Sequence, residues 1–148
     1  MTLNIDDARP LPKNAAVSAQ MSRMPRASTK PELALRRELH ARGFRFRIHR
    51  RDLPGTPDVV FAGARLAVFV DGCFWHACPE HGVLPKHNQR WWTDKFAKNA
   101  ERDARKDAEL AAIGWRPIHL WEHTPVASMA DAIGELLRAT SLRRPVPR

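Results

Sequence analysis

Two short apolar runs, Asp58-Val-Val-Phe61 and Leu66-Ala-Val-Phe-Val70, are separated only by Ala62-Gly63-Ala64-Arg65. Too short for helices and joined by turn residues, they read as two buried strands in a tight hairpin. An aspartate opens the first run, and another, Asp71, closes the second. In an antiparallel pair the start of one strand lies beside the end of the other, so both aspartates fall at one edge of the sheet. Two carboxylates brought together repel unless a cation lies between them, which makes a divalent ion the natural occupant. Each also has an ordinary structural use, Asp58 as a turn residue after Pro57 and Asp71 as a turn partner of Gly72.

The remaining elements build a mixed α/β domain around this hairpin. Thr29-Lys-Pro-Glu32 is a capping-box pattern with proline in the first turn, and Leu35 and Leu39 carry a helix from there to a stop at Gly43. Phe44-Arg-Phe-Arg-Ile48 alternates apolar and basic residues, which predicts a strand with Phe44, Phe46 and Ile48 on one face and Arg45 and Arg47 on the other. Residues 92–113 read as a long charged helix with Phe96, Ala100, Ala104, Ala108 and Ala111 near one face and Gly114 as its stop. Residues 115–121 fit another strand, at an edge or irregular because of Pro117, and residues 129–137 a final helix.

Residues 1–20 hold Pro10, Pro12 and small residues without an apolar period, and the chain ends in prolines and arginines. The expected organisation is therefore a flexible arm over 1–20, one domain over 21–140 and a basic tail over 141–148. Lys and Arg outnumber Asp and Glu by 25 to 16, a formal charge of +9, which favours a polyanion such as nucleic acid as partner. No run is long enough to span a membrane and no export signal is visible, so the cytoplasm, in association with the nucleoid, is the expected compartment, and a monomer the expected state.

The two cysteines, Cys73 and Cys78, stand close together with histidines around them, a pattern that suits a metal better than a disulfide in a chain without an export signal. Cys73, Cys78, His81 and the distant His123 form a candidate structural zinc set. His76 lies inside the same spacing and is an alternative ligand, in which case His81 or His87 is a solvated loop histidine. Five residues beyond Asp71, His76 is also the candidate general base for water attack on a phosphodiester, with Mg²⁺ at Asp58 and Asp71 polarising the phosphate. Phe74, Trp75, Trp91 and Trp92 put four large rings in or beside one loop, where stacking on bases explains them better than a core does, although Trp92 and Phe96 are spaced as a buried helical pair.

The strings Pro57-Asp58, Val68-Phe-Val-Asp-Gly-Cys-Phe-Trp-His76, Lys98-Asn-Ala-Glu-Arg-Asp103 and Gly114-Trp-Arg through Trp121-Glu122 resemble the very short patch repair (Vsr) endonucleases, over roughly residues 20–137. The resemblance implies a fold related to the PD-(D/E)xK nucleases, a structural zinc, and Mg²⁺-dependent nicking of double-stranded DNA. The nick lies 5′ of the thymine in a T:G mismatch, the lesion left by deamination of 5-methylcytosine, in a setting shared with other repair proteins. Carried over by position, it makes Asp58 the main metal ligand, His76 the catalytic histidine, and Glu32 and Asp103 acidic residues around the site. Glu32 is then both a capping-box residue and an active-site carboxylate. Phe74, Trp75 and Trp92 match the family's intercalating aromatics, and the region of Met21 its N-terminal arm. The position of Asp71 varies in the family, so its metal role rests on the strand-edge argument. Cys73 stands where PD-(D/E)xK sites carry their lysine, which leaves proton and charge handling to His76 and the ion. Two other readings are compatible with the same residues: a PD-(D/E)xK nuclease without T:G preference, and a zinc-stabilised DNA-binding module in which Asp58 and Asp71 only make turns.

Overall fold

The computed structural model describes residues 29–143, with side chains to residue 141, so the N-terminal arm, Met21 and the last residues of the basic tail lie outside the described residues. In chain order the elements are α1 (Lys30–Ala41), β1 (Arg47–Ile48), β2 (Val59–Phe61), β3 (Leu66–Asp71), α2 (Gln89–Ala112), β4 (Arg116–Trp121) and α3 (Val126–Arg143). The strands form one mixed sheet in the order β1-β2-β3-β4, antiparallel except for the parallel pair β3 and β4. A mixed sheet flanked by three helices is the arrangement expected of a small nuclease-like α/β domain. Among the described residues no helix is long and apolar enough to cross a membrane.

The hairpin has the expected register, with Val59 opposite Val68 and Phe61 opposite Leu66. Its connection closes through Arg65, which adopts φ +53° and donates its N–H to the Ala62 carbonyl at 3.3 Å. Because β2 and β3 are central and short, both of their faces are covered, which is why they read as continuous apolar runs rather than alternating ones. On one face Val59, Phe61, Leu66 and Val68 meet Leu35 and Leu39 of α1 and Met129, Ala130 and Ile133 of α3. On the other, Val60 and Ala67 meet Leu53, Leu110, Phe69 and Trp115.

The first helix begins where its cap pattern says, with the Glu32 N–H directed at the Thr29 hydroxyl at 3.5 Å, and it stops at Gly43, whose φ of +84° only glycine adopts without strain. β1 is shorter than its alternation suggests. Phe44 and Phe46 turn onto the core against Phe61, but Ile48 is 45% exposed. The ladder with β2 is confined to Arg47 opposite Val60 and Ile48 opposite Val59, so residues 44–46 pack without one. β4 is the edge strand that Pro117 suggested, since proline lacks the N–H an interior strand needs on both sides. The last helix extends beyond residues 129–137 at both ends, starting directly after Pro125.

The long helix α2 differs most from its sequence pattern. Its buried residues are Trp92, Asn99 and Leu110, near its two ends and its middle, while Ala100, Ala104, Ala108 and Ala111 are exposed. The alanine stripe is therefore not a core face. Leu110 anchors α2 against Val60 and Ala67, while Phe96, Ala100 and Ala104 wall one side of an open cleft of about 300 Å³.

Candidate active site

The end of the β2–β3 hairpin gathers two neighbouring groups of polar side chains. In the first, Asp58 sits just ahead of β2, its N–H donating to the Val68 carbonyl at 3.0 Å and its Oδ2 accepting from the Val70 N–H at 2.7 Å. These two bonds aim the carboxylate across the hairpin. Ligand atoms of Glu32, His49 and Asp58 all lie within 4.8 Å of one another. Glu32 is only 3% exposed, and its carboxylate takes a bond from Arg36 Nη2 at 3.3 Å and faces His49 Nε2 at 3.4 Å. The capping residue and the site carboxylate are thus one residue, using its backbone for the first role and its side chain for the second. Burial, and after it the charges of Glu32 and Asp71, push the Asp58 carboxyl up to about 6, against the lowering effect of the Val70 bond and His49.

The second group lines the cleft under α2. His76 Nδ1 lies 2.8 Å from Asp103 Oδ2, and its Nε2 lies 3.8 Å from Asp71 Oδ1. The other oxygen of Asp71 accepts from His119 Nδ1 at 2.9 Å, and His119 Nε2 reaches Asp107 Oδ2 at 2.8 Å. Phe96 completes this wall. The Asp71 bond, more than the Asp107 bond, pushes the His119 imidazole up to about 9 even though half-burial works against it. Asp71 is therefore placed between two imidazoles, while Asp58 senses its charge from the first group without sharing a cluster with it.

The loop after β3 coils back on itself. The Cys78 N–H bonds the Cys73 carbonyl at 2.9 Å and the Gly82 N–H bonds the Cys78 carbonyl at 2.7 Å; a Cβ on Gly82 would lie 2.5 Å from that carbonyl oxygen, so only glycine fits. Glu122, at the end of β4, ties the same loop down: its N–H bonds the Asp71 carbonyl at 3.0 Å and its Oε1 accepts from the Cys73 N–H at 3.0 Å. His123 follows directly and reaches the thiols. Cys73 Sγ is 3.2 Å from His123 Nδ1, Cys78 Sγ 3.7 Å from the same nitrogen and 3.9 Å from His81 Nδ1. A tetrahedral zinc ion at 2.0–2.3 Å from its donors would hold them roughly 3.3–3.8 Å apart, so Cys73, Cys78, His81 and His123 fit one ion. His76 does not join this set; Ala77, at φ +49°, separates its direction from that of Cys78, and its ring goes to Asp103. Burial pushes the Cys73 thiol up to about 11 when no cation is beside it.

The aromatic rings pack edge to face: Phe74 against Trp75 at 5.0 Å, Trp92 at 5.3 Å and Phe96 at 5.6 Å between centroids. Trp92 is buried at the base of this group, with Phe74, Trp75 and Trp91 less buried above it. Asn99 Nδ2 donates to the Trp75 carbonyl at 3.2 Å and holds the loop against α2.

Three residues of these groups escape a reading of motifs: His49, His119 and Asp107. Asp107 had a signal, standing one helical turn after Asp103 and so on the same face of α2. His119 and His49 had none, because their partners come from other elements.

A family model for the DNA mismatch endonuclease Vsr matches residues 12–80. The chain is 53% identical over 97 residues to the type II nicking enzyme V.XorIIP of Xanthomonas oryzae pv. oryzae, covering 64% of this chain and 71% of that enzyme. It is 40% identical over 133 residues to the type II nicking enzyme V.NaeI of Lentzea aerocolonigenes, covering 86% and 80% of the two chains. It is 36% identical over 111 residues to the DNA mismatch endonuclease Vsr of Escherichia coli, covering 73% and 70%. With relatives of that identity aligned over more than two thirds of their length, the chain belongs to the Vsr family of DNA endonucleases.

Proposed function

We propose that this protein nicks one strand of double-stranded DNA on the 5′ side of the thymine in a T:G mismatch, using a PD-(D/E)xK-type site that holds Mg²⁺ at Asp58 and Asp71 with Glu32 alongside, and a structural zinc at Cys73, Cys78, His81 and His123. The observation that carries the reading is the Asp103–His76 pair, at 2.8 Å, whose free nitrogen faces Asp71 while Asp71 is felt by the half-buried Asp58. The two carboxylates suit the ion, since oxygen donors are what Mg²⁺ prefers, and ligand atoms of Glu32 and Asp58 lie within 4.8 Å of one another, with His49 as the third member of that group. When bound, Mg²⁺ supplies charge to polarise the phosphodiester and acidifies water in the site.

The protein's own groups have separable tasks. His76 donates Nδ1–H to Asp103, which leaves Nε2 with its lone pair free to take a proton from the attacking water. The imidazolium that forms is held between Asp103 and Asp71. Phe74 and Trp75, backed by Trp92, are the rings that enter between base steps, at a cost lowest where pairing is already weak. Nicking as opposed to double-strand cutting agrees with the names of the related nicking enzymes, and the formal charge of +9 suits a phosphate backbone.

Single-turnover nicking of a T:G duplex in the presence and absence of added Mg²⁺, with fluorescence anisotropy for binding, tests this assignment. His76→Ala is expected to slow nicking by roughly 10²–10⁴-fold, the usual worth of a general base, with Kd almost unchanged. Asp103→Asn is expected to be slowed less, because the ring remains but its tautomer is no longer fixed. Near-normal nicking by His76→Ala removes it from the chemistry. Trp75→Ala is expected to weaken binding to the mismatched duplex by roughly tenfold or more, the loss of one stacked base, while binding to matched DNA changes little. An equal loss on both duplexes would make the ring a part of the fold rather than of recognition.

A further inference from the structure

The cleft holds a further carboxylate–imidazole pair that the proposed reaction does not yet use. His119 lies opposite Phe69 in the parallel β3–β4 ladder, and its ring stacks on the Phe69 ring with centroids 4.8 Å apart and planes 9° from parallel. That stacking holds the imidazole in a plane where each of its nitrogens meets a carboxylate: Nδ1 meets Asp71 at 2.9 Å, and Nε2 meets both oxygens of Asp107 at 2.9 and 2.8 Å. A carboxylate only accepts, so each nitrogen donates.

Asp71 has need of such a hold. It is the last residue of β3, directly ahead of Gly72, where the backbone leaves the sheet. With Oδ2 taken by His119, Oδ1 is the oxygen turned toward His76 Nε2. Asp107 stands one turn beyond Asp103 on α2, so this helix makes two carboxylate–imidazole contacts, to His76 of the loop and His119 of β4, and both imidazoles face Asp71.

We propose that His119, braced by Asp107 and Phe69, is a positioning residue that fixes the Asp71 carboxylate in the orientation that presents Oδ1 beside His76. The inference rests on the reading that Asp71 and His76 lie in the nucleolytic centre. It assigns to His119 an effect on the chemical step and none on DNA binding.

Three substitutions separate positioning from simple bracing of the fold. His119→Asn keeps an amide donor near the place of Nδ1, so it retains the Asp71 contact and loses Asp107. His119→Gln places its amide near Nε2 and does the reverse, and His119→Phe keeps only the stacking. The expected single-turnover rates are within about threefold of wild type for His119→Asn, and slower by roughly ten- to a hundredfold for His119→Gln and His119→Phe, the scale of an ångström-sized misplacement. DNA Kd is expected to stay within about twofold for all three. Imidazole ¹⁵N spectra of the DNA-free protein are expected to show the His76 signals shifted in the Gln and Phe variants and unshifted in the Asn variant. The reverse order of rates, with His119→Gln the milder change, would show that bracing α2 is what matters and overturn the proposal, as would equal rates in all variants or His76 signals that ignore the substitutions. The rates are compared on whichever duplex the wild type cuts, so a loss of T:G preference contradicts only the functional reading. If the wild type cuts neither duplex, the functional reading fails and the His76 spectra alone decide the positioning.

Discussion

Replacing Asp58 with asparagine is expected to abolish nicking, by about a thousandfold or more, and at the same time to raise the thermal stability of the protein in buffer without added Mg²⁺. The loss of activity follows because a neutral amide would hold the proposed Mg²⁺ far more weakly than a carboxylate, and with it would go several kcal/mol of charge stabilisation at the phosphate. The gain follows from burial. The folded protein holds the Asp58 carboxyl at about 6, above the ordinary aspartate value, so ionised Asp58 opposes folding at neutral pH. A rise of that size corresponds to at most about 3 kcal/mol. Asparagine keeps an oxygen to accept the Val70 N–H and sheds the repulsion from Glu32 and Asp71. The sign of the pH dependence is fixed by the raised value: the folded state binds the extra proton, so the penalty on wild type is absent well below about pH 4, the ordinary aspartate value, and complete above about pH 6. Thermal melts should therefore show the variant more stable by several degrees at about pH 7.5, with the gap narrowing as the pH falls from about 6.5 to about 5. A variant no more stable than wild type above pH 7 would mean that Asp58 is better solvated than its surroundings indicate.

Removal of zinc is expected to have the second large effect. A structural zinc bound to cysteine and histidine contributes on the order of 10 kcal/mol or more in small domains, comparable with the whole net stability of a protein of this size. Phe74, Trp75 and His76 all lie between Cys73 and Cys78, so the ring platform and the proposed base depend on this coiled loop. Chelation is expected to lower the melting temperature by more than about 10 °C and to abolish nicking, with recovery when zinc is restored. Cys78→Ser and His81→Ala are expected to lose zinc, measured as bound metal per chain, whereas His76→Ala and His87→Ala keep it. Retention by His81→Ala with loss by His76→Ala would exchange the roles of the two histidines.

The legible parts of the molecule were those set by local rules. Strand pairing brings Asp58 and Asp71 to one end of a hairpin whatever surrounds it, and the Thr29–Glu32 cap and Gly43 stop fix α1 within its own turn. The cysteine and histidine spacing picked out four candidate metal-binding residues, and of the two competing histidines it is His81, not His76, whose ring the fold brings beside the thiols. What could not be read depended on where α2 lies. Its alanines have the period of a core face, and only the tertiary arrangement shows them exposed, with Ala100 and Ala104 lining a cleft. Because His119 meets Asp107 across that cleft, and His49 meets Glu32 between β1 and α1, neither histidine carries a signal in its own stretch of sequence. Asp71 shows the same limit in part: its position was predictable, but its bond to His119 and its separation from the Asp58 cluster were not.

Mismatch-directed nicking is tested most directly with two end-labelled duplexes that differ only in a central T:G mismatch or its T:A control, in several flanking contexts, with and without Mg²⁺ and with zinc left in place. The expected result is a single nick 5′ of the mismatched thymine, on that strand alone and only with Mg²⁺ added. Cutting of both duplexes at similar rates, or nicking without added Mg²⁺, would contradict it.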